Sequence, residues 1–403
     1  MRNIIIFDSI EAHDNLLPIT YTRPVSGIRV GITTIFEKWQ SCFPTDRLSH
    51  LTADYLQDKF SPIYDNSDDN IFIAGHYLPS VQLVDAICSL QPGEAIHNAN
   101  ANNEPIAFRG SKAAFEAQHF DNCSTFAGEA KRIFWLYDIF MMNDSVMLDD
   151  FHRITAGRAS QPLSHTNLVI GNPTFDDGAS KIFIEEGASI EGVTLNVTAG
   201  PIYIGANATI MEGSCIRAPF AACAHSQVNM CAKIYGATTL GPYCKVGGEL
   251  NNVVMMGYSN KAHDGFLGNA VIGEWCNLGG GTTASNLKND YSEIKLWNYP
   301  AHRFLRTGLQ FCGLIMGDHS KAGINCMFNT ATVIGVGVNI HGAGFPRNFV
   351  ASFSEGSTAG FTDVSLPKFF TIAERVMSRR SVALSETDKE IFTAIYNTAD
   401  TYK

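Results

Sequence analysis

The chain has 403 residues, of which 45% are hydrophobic and 17% are charged, and its formal net charge is -10. This composition is typical of a folded protein with more than one domain and excludes a disordered chain. The negative charge gives no general attraction to nucleic acid or to an anionic membrane, so we expect neither as a partner.

The N-terminal apolar run is too short for a signal peptide, and no segment reaches 18 uninterrupted apolar residues. We therefore expect a cytoplasmic protein. The 10 cysteines lack C-x-x-C spacing, which in a chain without an export signal predicts reduced, buried thiols and no metal site.

The first part of the chain alternates short apolar runs with helix-like segments. Residues 4–7 predict a buried parallel strand, and residues 33–40 predict a helix. The apolar run at residues 70–75 likewise precedes a helix-like segment that Ser80 could cap. This alternation predicts an α/β domain, Rossmann-like in pattern and with a mostly parallel sheet, over residues 1–165.

A polar stretch at residues 153–168 ends this pattern, and a hexapeptide period begins after it. Glycine often follows the repeated residue, as in IGANAT, LGPYCK and IGVGVN. Because the period fits neither a helix nor an amphipathic strand, it predicts short strands joined by tight turns, three to a coil, over residues 166–360. The repeated residues are Ile184, Ile190, Ile204, Ile210, Ile216, Ile234, Leu240, Val246, Phe266, Ile272, Leu278, Met316, Ala322, Phe328, Ile334 and Ile340.

Residues 361–403 return to helical periodicity. Phe369 and Ala373 have helical spacing, and Ser385 is a candidate N-cap with Asp388 three residues later. We expect two helices that pack as a short C-terminal cap on the repeats.

The hexapeptide period strongly resembles that of the hexapeptide-repeat acyltransferases, whose fold is a left-handed parallel β-helix. The stretch SNKAHDGFLGNAVIGEWCNLGGGTTASN at residues 259–286 is similar to the acetyltransferase half of the bifunctional uridyltransferase/glucosamine-1-phosphate acetyltransferases. This resemblance implies that His263 is the general base and that Asn277 and Asn286 bind substrate. Glu249, in GGELNN, matches the family's Glu-x-Lys stretch and is assigned to the substrate site as well.

Acetyl transfer to a sugar amine requires this kind of residue. The amine is largely protonated at neutral pH, and histidine is the side chain whose ordinary pKa suits the removal of that proton. Asparagines bind sugar hydroxyls without adding charge, and backbone N-H groups of the GGG run could face a developing oxyanion. The alternative interpretation is that His263 is a surface histidine on a coil corner.

Two positions depart from the family's pattern. Phe266, assigned to the substrate site, replaces the usual tyrosine, and Asn251 replaces the usual lysine. A hydroxyl group and a cation near the sugar phosphate are therefore missing. The cations that could replace it as substrate-binding residues are Arg217, Lys233 and Lys295, the last in a long excursion at residues 287–311. Alternatively, the charges of the excursion are simply solvated.

The stretch LLPITYTRPVSGIRVG at residues 16–31 resembles the Thr-Arg-Pro-Lys-Pro segment of sugar-1-phosphate nucleotidyltransferases. Val25 stands in place of the lysine, and FDSIEAHDN replaces the family's phosphate-binding glycine loop. We expect Arg23 and Arg29 to bind nucleotide instead. His76 stands where the family has its magnesium aspartate, and magnesium prefers oxygen ligands. The resemblance therefore supports the fold of this domain more than its activity.

The whole chain resembles divergent bacterial sugar-1-phosphate nucleotidyltransferases with the GlmU-like bifunctional architecture. This resemblance implies an enzyme of amino-sugar nucleotide metabolism that acetylates an amino-sugar-1-phosphate with acetyl-CoA. It also implies Mg²⁺ and a nucleoside triphosphate as candidate ligands of the N-terminal domain, and a homotrimer with shared active sites.

Three alternatives remain open from the sequence. The chain could be a sugar-nucleotide-binding regulatory protein with degenerate active sites, or it could transfer nucleotides only. A β-helix carbonic anhydrase would need three metal-binding histidines, and the histidines here lack the spacing of that family.

Overall fold

The computed structural model describes residues 2–65, 68–101 and 104–403. The chain divides into two compact units. The first comprises Met1–Ile28 and Thr33–Asp138, and the second comprises Arg29–Ile32 and Ile139–Lys403. The predicted domain limits at residues 165 and 360 stay predictions about folding units.

The first unit is built on one six-stranded sheet. Its strands are β1 (Asn3–Phe7), β2 (Arg47–Leu51), β3 (Asn70–Ala74), β4 (Glu94–Asn98), β5 (Glu104–Gly110) and β6 (Asn122–Thr125). They are arranged in the order β2-β1-β3-β5-β4-β6, and β5 runs antiparallel to both of its neighbours while the other pairs are parallel. All five residues of β1 are buried. The predicted α/β fold with a mostly parallel sheet is confirmed.

Helices lie between these strands along the chain. They are α1 (Ile10–Asn15), α2 (Ile35–Cys42), α3 (Val81–Ser89) and α4 (Lys112–Glu116), with 3-10 helices at Ile19–Thr22, Val25–Gly27, Asp54–Leu56 and Ala99–Ala101. Helix α2 begins two residues later than predicted because Thr34 is its N-cap and forms a capping box with Glu37. Ser80 caps α3 as predicted, since its side chain accepts a hydrogen bond from the Leu83 N-H.

The second unit consists mainly of short strands. They are β7 (Leu168–Ile170), β8 (Ile182–Ile184), β9 (Ser189–Ile190), β10 (Thr194–Asn196), β11 (Ile202–Ile204), β12 (Thr209–Ile210), β13 (Cys215–Arg217), β14 (Phe220–Ala222), β15 (Gln227–Val228), β16 (Lys233–Tyr235), β17 (Thr238–Leu240), β18 (Lys245–Val246), β19 (Glu249–Gly257), β20 (Asn260–Lys261), β21 (Phe266–Glu274), β22 (Asn277–Leu278), β23 (Thr283–Ala284), β24 (Lys295–Asn298), β25 (Arg303–Arg306), β26 (Ile315–Met316), β27 (Lys321–Ala322), β28 (Met327–Phe328), β29 (Val333–Ile334), β30 (Asn339–Ile340), β31 (Phe349–Val350), β32 (Ser354–Ser357) and β33 (Gly360–Asp363).

Most of these strands stack in parallel on three faces of a coil. Face 1 contains β7, β10, β13, β16, the first halves of β19 and β21, β23 and β28. Face 2 contains β8, β11, β14, β17, the second halves of β19 and β21, β26, β29 and β31. Face 3 contains β9, β12, β15, β18, β20, β22, β27, β30 and β32, with β33 antiparallel at its end. The left-handed parallel β-helix predicted from the hexapeptide period is confirmed.

The core of the second unit is a set of apolar ladders inside the coils. Almost all of the predicted repeat residues are buried there. Phe266 is the exception, because Leu267 occupies the ladder and Phe266 is only half-buried. Strands β19 and β21 each continue from face 1 around the corner onto face 2. The buried residues Leu250 and Met255 of β19 are therefore five residues apart, and so are Leu267 and Ile272 of β21. The hexapeptide register is therefore shifted by one at this point.

Helices complete the second unit. They are α5 (Asp138–Met141), α6 (Asn143–Thr155), α7 (Leu366–Ser378) and α8 (Glu386–Ala399), with a 3-10 helix at Asp400–Tyr402. Helix α6 buries Met147 and Phe151 against Phe183 of the β-helix. The predicted capping box of Ser385 with Asp388 is present in α8. Among the described residues, no helix is long and apolar enough to cross a membrane.

The cysteines differ in part from the prediction. Cys223, Cys244, Cys276, Cys312 and Cys326 are buried, but Cys88, Cys123, Cys215 and Cys231 are exposed. The prediction of uniform burial is wrong for the exposed group because, as in Cys215 of β13, they occupy outward positions on the surface.

Candidate active site

A groove of about 590 Å³ lies along face 3 of the β-helix. Its floor is a row of side chains from successive strands: Lys245 of β18, Asn260 of β20, Asn277 of β22 and Lys321 of β27. Parallel strands stack about 4.8 Å apart, so adjacent members of this row can contact one ligand. The stacked coils thus bring together polar groups that are distant in sequence.

His263 lies at one edge of the groove, at the corner between face 3 and face 1. Its side chain is exposed, as expected, and is not part of the apolar ladder. Gly280 of the next coil lies beside it, since a Cβ added to Gly280 would be 3.6 Å from the Cβ of His263, an ordinary contact distance. The His263 carbonyl accepts a hydrogen bond from Lys261 Nζ.

Aromatic rings form the opposite edge of the groove. Tyr258 and Trp275 line it, with their ring centroids 4.1 Å apart and their planes 14° from parallel. They belong to a longer stack at the corner between faces 2 and 3, formed by His225, Tyr243, Tyr258, Trp275 and His319. The five residues share a left-handed backbone conformation, with φ between 54° and 59° for four of them and 60° for Trp275. The repeated turn therefore aligns flat apolar surfaces along the groove.

The groove is strongly basic although the chain is acidic. Of the described residues that line it, Lys245, Lys321, Arg379 and Arg380 are basic, and none is acidic. The two arginines follow the end of α7, and Arg380 Nη2 donates to the Tyr243 carbonyl at 3.4 Å. Burial lowers the pKa of Lys321 to about 8, and its Nζ donates to the His319 carbonyl at 2.6 Å. The arrangement suits an anionic ligand.

Of the predicted site residues, His263 and Asn277 line this groove. Lys233, Glu249 and Phe266 instead occupy consecutive rungs of face 1. The Tyr235 hydroxyl donates to Glu249 Oε1 at 2.5 Å, and this hydrogen bond, followed by burial, raises the pKa of Tyr235 to about 12.

The remaining predicted residues lie elsewhere on the second unit. Arg217 ends β13 on face 1, and its side chain is exposed. Asn286 lies near the corner between faces 1 and 2, where its Nδ2 donates to Asn269 Oδ1 at 2.8 Å. Lys295 begins β24, which pairs with β25 in an antiparallel hairpin within the excursion. A single chain therefore does not gather all of these residues at the groove.

Several residues that line the groove were not predicted from the sequence. Lys245 and Lys321 directly precede the ladder residues Val246 and Ala322, just as Asn277 precedes Leu278. Correct assignment of the repeats to face 3 would have identified both lysines. Arg379 and Arg380 gave no such signal because they lie outside the repeats.

The carboxyl ends of β1, β2 and β3 are the usual ligand-binding edge of an α/β sheet. Asp8 directly follows β1, and its carboxylate accepts hydrogen bonds from the Val25 N-H at 3.0 Å and from Thr52 Oγ1 at 2.6 Å. Burial raises the pKa of Asp8. His76 is fully buried, and its Nε2 lies 3.0 Å from Glu104 Oε1. The segment that replaces the glycine loop is thus anchored through Asp8.

The two predicted nucleotide-binding arginines belong to different units. Both are buried. Arg23 Nη1 donates to the Ile19 carbonyl at 2.9 Å. Arg29 Nε donates to the Met256 carbonyl at 3.2 Å, and its Nη1 donates to the Ile32 carbonyl.

Within residues 2–65, 68–101 and 104–403, no group of three or more His, Cys, Asp or Glu side chains is arranged to hold a metal ion.

Similarity to known proteins follows the same division of the chain. Residues 4–159 match the family of sugar nucleotidyl transferases. The chain is 25% identical over 218 residues to the bifunctional protein GlmU of Synechococcus elongatus, a match that covers 50% of this chain and 44% of that protein. It is 32% identical over 93 residues, 23% of each chain, to the bifunctional sugar-1-phosphate nucleotidylyltransferase/acetyltransferase of Sulfurisphaera tokodaii.

The first of these matches spans less than half the length of the relative. A solved structure of UDP-N-acetylglucosamine acyltransferase from Francisella novicida aligns with 59% of this chain and 84% of its own, at 12% identity and a TM-score of 0.27. Residues 4–159 are thus similar to sugar nucleotidyl transferases, and parts of the chain are similar to bifunctional proteins of the GlmU type.

Proposed function

We propose that the β-helix transfers an acetyl group from acetyl-CoA to the amine of an amino-sugar-1-phosphate, with His263 as the general base. The observation that carries this proposal is the groove on face 3. It combines His263 and Asn277 with four basic side chains, in a chain whose net charge is -10. Such a site suits a donor and an acceptor that both carry phosphate.

The proposed reaction uses groups at the His263 edge of the groove. The free amine of the sugar attacks the thioester carbonyl carbon, and neutral His263 takes the proton that the nitrogen loses as the carbon–nitrogen bond forms. The carbon–sulfur bond then breaks, and protonated His263 returns this proton to the sulfur, so coenzyme A leaves as a thiol. Asn277 binds a sugar hydroxyl, and the backbone N-H of Gly280, which lines the groove, stabilises the oxyanion.

The residues at the two edges of the groove favour one orientation of acetyl-CoA, the proposed acetyl donor. Arg380 bonds to the carbonyl of Tyr243, two residues before Lys245, so the arginine pair and Lys245 lie toward the same end. We assign the phosphates of coenzyme A to this end and its adenine ring to the face of Tyr258 or Trp275. The thioester is then directed toward His263.

The other predicted substrate residues support a site completed by neighbouring copies. Glu249, Phe266, Lys233 and Arg217 form an outward surface on face 1, while Asn286 lies at a different corner from His263. In a homotrimer, face 1 of one chain would meet the corner of another. Lys295 of the excursion would contact the sugar phosphate across this interface. The proposed ligands are small molecules and not nucleic acid.

For the N-terminal domain we propose binding of a nucleoside triphosphate or sugar nucleotide, with Arg23 as the contact in the first unit; Arg29, the other predicted contact, belongs to the second unit. The described residues contain no group of three or more potential metal ligands, and we derive no step that uses Mg²⁺. The replacement of the glycine loop by FDSIEAHDN and of the magnesium aspartate by His76 favours a second candidate function, a regulatory domain that binds a sugar nucleotide without turnover.

The purified full chain should be incubated with acetyl-CoA, glucosamine-1-phosphate and one of UTP, dTTP, GTP or CTP. We expect thiol release that depends on the amino sugar, and an acetylated sugar phosphate by mass spectrometry. Thiol release without pyrophosphate would assign activity to the β-helix alone. Absence of both products would contradict the proposed reaction and favour the regulatory function.

A further inference from the structure

One lysine interrupts an otherwise apolar ladder inside the β-helix. Lys261 is the second residue of β20 and is 0% exposed. It occupies the inward position of face 3, where Val246 pairs with it on the preceding strand. The corresponding residues of the other parallel strands are Ile190, Ile210, Val228, Val246, Leu278, Ala322, Ile340 and, at the end of the face, Gly356.

The position of this lysine is unfavourable for stability alone. Removing a charged group from water costs several kcal/mol unless hydrogen bonds and opposite charges compensate for it. Apolar side chains of similar length would fit the ladder without this penalty. A role outside the core therefore explains the lysine better than packing does.

The contacts of Lys261 lead directly to the proposed general base. Its Nζ donates a hydrogen bond to the backbone carbonyl of His263. The neighbouring carbonyl of Ala262 accepts a hydrogen bond from Asn229 Nδ2 at 2.7 Å, and the Lys261 carbonyl accepts one from the Gly247 N-H at 2.8 Å. Three consecutive carbonyls at this corner thus accept hydrogen bonds, from the two preceding coils and from the Lys261 side chain.

The backbone path at this corner sets where the imidazole of His263 can lie. The side chain itself is exposed and passes close to Gly280 of the next coil. A change in the backbone of residue 263 would redirect its Cα–Cβ bond relative to the groove. The hydrogen bond from Lys261 limits such changes.

We propose that Lys261 is a positioning residue that fixes the His263 corner from inside the β-helix and thereby directs the imidazole into the groove. The inference rests on the proposed acetyl transfer for its kinetic consequences. Lys261 does not contact substrate and does not exchange protons with it.

The test compares Lys261→Met, which removes the donor, with Lys261→Gln, which retains an N-H donor. Val246→Met changes the residue that pairs with Lys261 on the preceding strand, so it is the control for altered packing of the apolar ladder. We expect Lys261→Met to lower kcat by roughly 10- to 100-fold, as displacement of a catalytic group by about 1 Å can do. KM for acetyl-CoA should change less than about two-fold, and the unfolding temperature should stay constant or rise. Lys261→Gln should recover part of kcat, and Val246→Met should retain all of it.

An NMR measurement separates this inference from the proposed reaction. The imidazole signals of His263, assigned by their loss in His263→Ala, should shift or broaden in Lys261→Met but not in Val246→Met. This change is expected even if the wild-type chain transfers no acetyl group.

Unchanged His263 signals in Lys261→Met would overturn the positioning role. A loss of kcat that is matched by Val246→Met, or that accompanies a lower unfolding temperature without recovery in Lys261→Gln, would also overturn it. If neither Lys261 variant folds, the lysine has a structural role and the proposal is wrong.

Discussion

Asn277 and Lys321 are paired on adjacent strands of face 3, and both side chains line the groove that His263 borders. The pair combines a neutral amide with a lysine whose pKa is lowered by burial to about 8. At neutral pH this lysine is still mainly protonated, so the floor of the groove offers both hydrogen bonds and positive charge beside the proposed base. The following predictions test this site and the rest of the chain.

His263→Ala is expected to lower the acetylation rate by roughly 10² to 10⁴, the usual effect of removing a general base. Affinity for coenzyme A should change little, because the base acts on the amine and not on the donor phosphates. Thiol release under saturating donor is the measurement. His341→Ala is the matched control, since His341 is another exposed histidine directly after a face 3 strand. Full activity of His263→Ala would show that His263 is not the general base.

Replacement of both Arg379 and Arg380 by alanine is expected to raise KM for acetyl-CoA by about 10-fold or more, since each charge-assisted hydrogen bond contributes roughly 1.5–3 kcal/mol. The value of kcat should change little because neither arginine lies at the His263 edge. Arg375→Ala, in the same helix but outside the residues that line the groove, is the control. An unchanged KM would show that the donor binds elsewhere.

The buried Lys261 predicts a pH dependence of stability. Burial lowers its pKa in the folded chain from 10.5 to about 8, although Asp264 opposes the shift. Between these values the unfolded chain binds more protons, so the free energy of unfolding should rise with pH above about 8. Urea unfolding of the wild type and of Lys261→Met, at pH values from about 7 to 10, isolates this contribution as a difference. A constant difference across this range would contradict the prediction.

The full chain is expected to form a homotrimer, because face 1 carries predicted substrate residues that a single chain does not bring to the groove. Light scattering at micromolar concentration should give three times the mass of the chain. Lys233→Glu on the exposed surface of face 1 should weaken the assembly or the activity that depends on it. A monomer with full acetylation activity would show that one chain contains the whole site.

Nucleotide binding by the full chain should be weak and should be lost when Arg23 and Arg29 are both replaced by alanine. The glycine loop that would normally bind the phosphates is absent, so these arginines are the predicted replacements. Calorimetric titration with UTP is the measurement, and Arg47→Ala, an exposed arginine of β2, is the control. Since Arg29 also donates to buried carbonyls, Arg29→Ala should lower the unfolding temperature. Strong binding that survives both substitutions would place the nucleotide site elsewhere.

The sequence by itself determined the features that depend on local periodicity. The strand at residues 4–7, the cap at Ser80, the capping box at Ser385 and the six-residue repeat could all be predicted, because each depends on neighbouring residues. Placement of His263 on an exposed corner also followed from the repeat. The register of the repeat could not be predicted at Phe266. The corner within β21 is one residue shorter than the six-residue repeat requires, so Leu267 and not Phe266 points into the core.

Only the tertiary structure decided which side chains share the groove. Lys321 reaches the strand beside Asn277 because the excursion at residues 287–311 leaves the coil between β23 and β26 and returns to it. Arg379 and Arg380 reach the groove through α7, outside any repeat. The inward direction of Lys261 likewise depends on the register of face 3. These contacts arise from the stacking of coils, which brings distant residues within one strand spacing and which local sequence patterns do not encode.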